Sequence, residues 1–115
     1  MGYRIDYTVT GGVLMATVSG SSSPGAIARD LAREARANAT RNLLVDVRRL
    51  RDRAARMREV LALKRLPKRI AILDSVQNER LYVFAEIDAQ HRGCTLRRFD
   101  DQDAALEWLW DLRGR

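Results

Sequence analysis

Two short runs rich in apolar residues, at residues 43–47 and 70–73, place the strongest limit on how this chain can fold. Each is too short for a helix, and neither shows the regular polar alternation of a strand with one solvated face. Runs of this kind are typical of strands that are buried on both sides. They predict an α/β fold with a largely parallel sheet. The chain has 115 residues, so we expect residues 1–115 to form a single domain.

The first part of the chain predicts an antiparallel hairpin followed by a helix. Apolar and polar residues alternate over residues 3–9, Gly11-Gly12 supplies a tight turn, and residues 13–18 form the returning strand. Ser23 before Pro24 has the pattern of an N-cap with proline at the first helical position, and the helix should run to about Asn38. Its expected core residues are Ile27, Leu31 and Ala35.

The remaining elements follow the two apolar runs. Residues 52–66 predict a helix that ends before Pro67, and residues 95–99 predict the last strand. Residues 78–92 fit either a strand or a helix, and their length favours a helix that ends at Gly93. A final helix begins at Asp100; on it Ala105, Trp108, Leu109 and Leu112 share one face, with Leu106 and Trp110 to one side.

The predicted order is therefore β-β-α-β-α-β-α-β-α, an N-terminal β-hairpin followed by βα units. Single helices between successive strands imply right-handed parallel crossovers. We expect a mixed five-stranded sheet covered by four helices.

Positive charge is concentrated in the middle of the chain. Residues 41–69 contain eleven Arg or Lys against three acidic residues, whereas the rest of the chain is slightly acidic. Such a field can attract an acidic protein, an anionic lipid or nucleic acid. Nucleic acid is disfavoured, because no aromatic residues interleave with the charges and no common reading motif is present. The predicted partner- or anion-binding residues are Arg48, Arg49, Arg51, Arg53 and Arg56, and a solvated helix face is the alternative.

The sequence provides little for catalysis or metal binding. His91 and Cys94 are three residues apart, but the chain has no other histidine, and Cys94 begins an apolar strand. One cysteine cannot supply a thiolate metal site or an internal disulfide. We therefore predict no enzyme activity, no catalytic residues, no metal and no cofactor. Residues 1–9 lack the apolar stretch of a signal peptide, which predicts a cytoplasmic protein without a transmembrane segment.

The predicted order, the segment VDVRRL leading into a helix, the segment RIAILDS and above all the ending RRFDDQDAALEWLW resemble the STAS domains, in particular the single-domain SpoIIAA-like branch. The resemblance implies a STAS/SpoIIAA-like α/β fold and a function that is usually non-enzymatic. Anti-sigma-factor antagonists of this family carry a phosphorylatable Ser or Thr at a position that corresponds here to residues 50–54. These residues read LRDRA, and no hydroxyl side chain occurs between Thr40 and Ser75, so the phosphoserine switch is absent from its usual place.

The leading functional prediction is a binding domain with an apolar or lipid-like small ligand in a groove under the helices predicted at 52–66 and 78–92. The first of these helices is apolar on two sides, so it must contact a second element besides the sheet. Basic residues near the mouth would suit an anionic head group. The alternative is a protein-interaction or regulatory module without a small ligand, with an acidic partner or as a homodimer through the last helix. The predicted groove residues are Met57, Val60, Leu61, Leu81, Phe84 and Ile87.

Overall fold

The computed structural model describes residues 2–21, 26–38, 41–51 and 67–111. These residues form a five-stranded mixed sheet with three α-helices and a 3₁₀ helix, which confirms the predicted α/β class, the hairpin and the five strands. The predicted helix over residues 52–66 lies outside the described residues. The strands, in both sequence and spatial order, are Tyr3–Thr10 (β1), Val13–Gly20 (β2), Asn42–Leu50 (β3), Arg69–Leu73 (β4) and Thr95–Phe99 (β5). The helices are Ala26–Ala37 (α1), the 3₁₀ helix Val76–Tyr82, Val83–His91 (α2) and Gln102–Leu109 (α3).

The hairpin forms because its turn residues can adopt the backbone that a two-residue turn requires. Thr10 pairs with Val13, and the two residues between them, Gly11 and Gly12, have φ angles of 56° and 80°. Positive φ at both central positions matches the right-handed twist of the flanking strands. After the hairpin, β2, β3, β4 and β5 are all parallel to one another, as the βα order predicts.

Each face of the sheet carries its own apolar cluster. Neighbouring residues of a strand point to opposite faces, so Leu43 joins the larger cluster and Leu44 the smaller one. We call the side with the larger cluster the α1/α2 face, because it includes Ile27 and Leu31 of α1 and Ala85 of α2. The α3 face carries the smaller cluster, which includes three residues of α3: Ala105, Leu106 and Leu109. Ile27 and Leu31 thus lie in the core, as predicted.

β3 is longer than the sequence predicted, and its extension includes a bulge. The strand continues through Leu50, and its register with β2 shifts between Thr17 and Ser19. The shift accommodates one additional residue on β3. As a result, Val47 and Leu50 both join the cluster of the α1/α2 face, although they are three positions apart, and the two arginines between them are exposed. The chain therefore does not turn into a helix directly after Val47.

Three predictions for the second half of the chain were wrong in detail. Residues 78–92 do not form one helix, because the segment is 3₁₀ through Tyr82 and α-helical from Val83. Leu106 does not lie to the side of α3, since it is only 8% exposed and packs in the core with Leu109. Asp101, rather than Asp100, caps α3 by accepting a hydrogen bond from the backbone N–H of Ala104 at 3.2 Å. Leu112 lies outside the described residues.

Candidate functional site

The end of β3 holds an ion pair that neutralises the first of the predicted binding arginines. Asp46 and Arg48 point to the same side of the strand, and both guanidinium contacts are short: Nε donates to Oδ1 at 3.0 Å and Nη2 donates to Oδ2 at 2.8 Å. The backbone N–H of Arg48 also donates to Oδ1 at 3.1 Å. A forked pair of this kind fixes both side chains. Arg48 is therefore committed to Asp46 rather than available as a simple cation for a partner.

Opposing effects act on the pKa of Asp46. Partial burial raises the pKa, but the side-chain and backbone hydrogen bonds from Arg48, together with the charges of Arg48 and Arg49, lower it by more. The carboxyl is therefore ionised more readily than an ordinary aspartate. The same hydrogen bond raises the pKa of Arg48 further above its usual value. The pair stays doubly charged throughout the neutral range.

The other predicted arginines divide into two groups. Arg49 and Arg51 are described and exposed, and they flank Leu50 at the carboxyl end of β3. The backbone N–H of Arg51 donates to the carbonyl of Gly20 at 3.0 Å. The backbone of Arg51 is therefore held at the end of β2, although its side chain is exposed. Arg53 and Arg56 lie outside the described residues. Apart from Arg48, which is paired with Asp46, the described part of the predicted basic surface consists of Arg49 and Arg51, which we call the arginine edge.

At the same end of the sheet, Asp74 is fully buried and connects three elements. Its carboxylate accepts from the Tyr82 hydroxyl at 2.5 Å and from the Ser75 backbone N–H at 2.8 Å. Its carbonyl accepts from Arg98 Nη1 at 3.0 Å, and its N–H donates to the carbonyl of Phe99 at 3.0 Å. These bonds link the end of β4 to the 3₁₀ helix and to β5. Ser75 occupies the N-cap position, but its side chain makes no capping bond.

The predicted groove residues that the structure describes lie on the outside of α2. Phe84 is 80% exposed and Ile87 is 48% exposed, and neighbouring Val83 is also 48% exposed. We call these three residues the α2 patch. They share one side of the helix, because residues three and four apart are neighbours on a helix surface. Val83 was not among the predicted groove residues, although its spacing of four from Ile87 was a visible signal.

The rest of the predicted groove is not brought together in the described residues. Met57, Val60 and Leu61 lie outside them, and of Leu81 only the backbone, in the 3₁₀ helix, is described. Two grooves that lie within the described residues have other linings, with neither Phe84 nor Ile87 among them. The six-residue ligand groove therefore stays a prediction.

The H-x-x-C pair has the wrong environment for a nucleophile. Cys94 is buried, and burial raises the pKa of its thiol to about 11. His91 is exposed at the end of α2. Because the thiolate is the reactive form, a thiol held protonated at neutral pH is a poor nucleophile. In the parts of the chain that the structure describes, no group of three His, Cys, Asp or Glu is placed to hold a metal ion.

Near the end of α3, two contacts hold the helix to the sheet. Arg69 Nη1 donates to the carbonyls of Trp108 and Asp111 at 2.6 and 3.2 Å, and its guanidinium lies 5.2 Å from the centre of a Trp108 ring. The indole N–H of Trp110 donates to the Gly11 carbonyl at 3.1 Å. The polar group of Trp110 is thus used in a contact within the chain, while the side chain as a whole remains 41% exposed.

Comparison with known proteins shows which class this architecture belongs to. A hairpin followed by three parallel strands, with helices on both faces, is the STAS-type, SpoIIAA-like fold, as the sequence predicted. The chain is similar in structure to an anti-sigma factor antagonist from Mycobacterium paratuberculosis, with a TM-score of 0.60 and 17% identity over 96% of each chain. It is also similar to an uncharacterized DUF3478 family protein with a SpoIIAA-like fold from Shewanella loihica PV-4, with a TM-score of 0.56 and 19% identity over 94% of each chain.

The similarity is one of fold. No protein-family model matches the sequence, and no curated protein matches it either. Among the described helices, none is both long and apolar enough to cross a membrane.

Proposed function

We propose that this chain is a non-catalytic regulatory domain that binds a protein partner through the α2 patch. One observation carries the proposal: α2 is inverted relative to an ordinary surface helix. Its buried residues are Ala85 and Ala89, whereas its large apolar residues, Val83, Phe84 and Ile87, face outward. A surface helix normally buries its large apolar side chains and exposes polar ones.

Exposing these side chains has an energetic cost that binding would recover. Burial of a single large apolar side chain contributes about 2 kcal/mol, and hot spots in interfaces are small groups of such residues near the centre of the contact. Single exposed apolar residues are common and need no explanation, but a contiguous group on one helix side indicates an interaction site. The α2 patch has the size of such a central group.

The comparison with solved structures supports a protein as the partner. One similar structure is described as an anti-sigma factor antagonist, a name that specifies action on another protein. In the present chain, the residues that correspond to the family's phosphorylation position contain no hydroxyl group. Partner binding by this domain is therefore proposed to be independent of a phosphate at that position.

The arginine edge supports an acidic character for the partner. Arg49 and Arg51 are exposed, and the chain has a net charge of +6. Charges at the rim of an interface mainly accelerate association and make it sensitive to salt. We expect Arg49→Glu to slow association several-fold at low salt and to have little effect at high salt.

Site-specific photo-crosslinking in the source cells tests the proposal. A photoreactive phenylalanine analogue replaces Phe84 in one variant and Val9 in another; Val9 is an equally suitable control because it is 57% exposed and lies on β1. We expect a discrete protein adduct from position 84 that is absent from position 9, and that disappears when Ile87→Ser is added. Equal labelling from both positions, or no adduct from position 84, would contradict the proposal.

A small apolar or lipid-like ligand is the second candidate, since Phe84 and Ile87 belong to its predicted groove and are exposed rather than packed. Mass spectrometry of organic extracts from the purified native protein tests it. A stoichiometric lipid, together with a thermal shift on adding fatty acids, would support the ligand. Extracts without lipid and an unchanged melting temperature would leave the protein partner as the only candidate of the two.

A further inference from the structure

β5 forms an edge of the sheet, and its register shows which backbone groups face outward. The Thr95 N–H donates to the Lys68 carbonyl, and the Phe99 carbonyl accepts from the Asp74 N–H, both at 3.0 Å. In a parallel pair, alternate residues direct both of their backbone groups to the same neighbour. Residues 95, 97 and 99 therefore bond to β4. The N–H and C=O groups of Leu96 and Arg98 point away from the sheet.

These outward groups open into a groove rather than onto a flat surface. The groove has a volume of about 550 Å³, with residues of β5 as its floor. On the α1/α2 face its wall is formed by Val83, Glu86 and Gln90 of α2, and on the α3 face by Trp108. An extended chain placed beside β5 would thus be enclosed by a helix on each side.

Among the residues that the structure describes, β5 lacks three of the features that commonly prevent a sheet from accepting another strand. Proteins block such edges with proline, with bulges or with charged side chains that project over the edge. β5 contains no proline, and its pairing with β4 has no irregularity. Its two arginines are turned to the faces: Arg98 donates to the Asp74 carbonyl, and the Arg97 guanidinium lies 5.2 Å from the centre of the Phe99 ring.

The two walls of the groove differ in charge. Glu79 and Glu86 line it on the side of α2, and neither forms an ion pair with any residue that the structure describes. Arg97 lies on the opposite face of β5 and likewise has no ion pair within the described ranges. Successive side chains of an added strand point to opposite faces. In an added strand, a basic residue next to an acidic one could therefore place its positive charge near Glu79 and Glu86 and the neighbouring negative charge near Arg97.

We propose that the open edge of β5 binds an extended segment of another protein as a sixth strand, with a basic side chain towards Glu79 and Glu86 and an acidic side chain towards Arg97. This goes beyond the proposed function, because the binding groups are the backbone of Leu96 and Arg98 rather than Phe84 and Ile87. Of the α2 patch, only Val83 also lines this groove. A second copy of the chain fits less well. In the antiparallel register that pairs all five residues of β5, Arg97 would face its own counterpart, and like charges directly opposite are destabilising.

A peptide of about eight residues, in which lysine or valine alternates with glutamate, provides the probe, since such a strand spans the whole edge. Titration into ¹⁵N-labelled protein, followed by NMR and amide hydrogen exchange, reports on the site. We expect slower exchange at the Leu96 and Arg98 amides. We expect weaker binding when the peptide amides that face β5 are N-methylated, and when its residues are rearranged into blocks of like charge.

Two protein variants locate the charge contact. Arg97→Glu should weaken binding about fivefold, the effect of one cross-strand charge pair, and a probe with lysine and glutamate exchanged should recover part of it. Arg36→Glu, on the exposed side of α1, is the matched control and should leave the affinity unchanged.

Several results would overturn the proposal. These are no binding of the probe at millimolar concentration, binding without protection of the Leu96 and Arg98 amides, or equal binding of the N-methylated peptide. Protection of these amides in a dimer without any peptide would assign the edge to a second copy instead. None of these results depends on Phe84 or Ile87, so the outcome is independent of the crosslinking experiment on the α2 patch.

Discussion

The two faces of the sheet are closed by different kinds of interaction. On the α1/α2 face, aliphatic side chains of two helices cover the strands, and the polar groups at the rim, Asp74 and Tyr82, are buried and bonded to each other. On the α3 face, the described cover is a single eight-residue helix, and its end is held by the guanidinium of Arg69. The α1/α2 face is therefore stabilised mainly by the packing of apolar side chains, whereas the α3 face depends more on a few hydrogen bonds.

The largest expected change in stability comes from replacing either of two adjacent leucines on β3. Leu43 and Leu44 are both buried but point to opposite faces. We expect Leu43→Ala to reduce the free energy of unfolding by about 4 kcal/mol and Leu44→Ala by about 3 kcal/mol, within the range for buried leucine. Leu44→Ala should reduce the free energy of unfolding by less, because the partly buried Met15 and Trp108 beside its cluster can shift into the cavity that the substitution leaves. Urea unfolding followed by circular dichroism measures both. A larger loss for Leu44→Ala would reverse the comparison.

Next in size is removal of the guanidinium that holds α3. Arg69→Met keeps much of the side-chain volume but leaves the carbonyls of Trp108 and Asp111 without this donor. We expect a loss of about 2 kcal/mol, as for hydrogen bonds that involve a charged group, with a change in the near-ultraviolet signal of Trp108. Arg49→Met is the control, because Arg49 is exposed and surface substitutions usually change stability by less than about 0.5 kcal/mol. Equal effects of the two substitutions would show that Arg69 does not hold the helix.

A smaller effect is expected from one hydroxyl on the α1/α2 face. Tyr82→Phe removes the donor to the buried Asp74 carboxylate and should cost about 1–2 kcal/mol. Tyr7→Phe is the matched control, since the buried Tyr7 hydroxyl has no hydrogen-bond partner among the residues that the structure describes. Removing an unsatisfied group should be neutral or stabilising. Thermal denaturation of both variants gives the answer, and a destabilised Tyr7→Phe protein would mean that its hydroxyl is bonded in solution.

The smallest expected effect concerns the pH dependence of stability at Asp46. The pKa of this carboxyl is lower in the folded chain than in the unfolded one, because the hydrogen bonds and charge of Arg48 outweigh burial. Its contribution is therefore present above the unfolded pKa of about 3.9 and is lost as the pH falls through the lower folded pKa. The difference in urea midpoint between wild type and Asp46→Asn should be present at about pH 6, begin to decrease near about pH 4, and disappear only once the pH lies below the folded pKa of Asp46. A difference that does not change with pH would argue against the ion pair.

Much of the fold could be predicted because its signals are local. The glycine pair of the hairpin and the apolar runs of β3 and β4 each report on a few neighbouring residues, and the structure confirms these elements. The acidic start of α3 was visible in the same way, although the capping residue is Asp101 rather than Asp100. The extension of β3 could not be predicted in this way. Arg48 and Arg49 interrupt the apolar pattern, and the bulge that exposes both depends on pairing with β2, a contact distant in sequence.

The candidate site was less predictable for the same reason. Helical periodicity placed Phe84 and Ile87 on a common face but could not show whether that face is inward or outward. In the structure, the residue before α2, Tyr82, is buried and bonded to Asp74, and the alanines of α2 face the core. Likewise, the role of Arg69 depends on the end of α3, about forty residues later, which no local pattern reveals.

The contact between Trp110 and Gly11 joins parts of the chain that are 99 residues apart, so it can form only after both the hairpin and α3 are in place. The two tryptophans therefore offer separate fluorescent reporters, with Trp108 beside Arg69 and Trp110 against the hairpin turn. In a protein that carries Trp110→Phe, the remaining emission comes from Trp108 alone. Comparing its fluorescence during refolding with that of the unmodified chain would separate the docking of α3 on the sheet from the formation of the contact between Trp110 and Gly11.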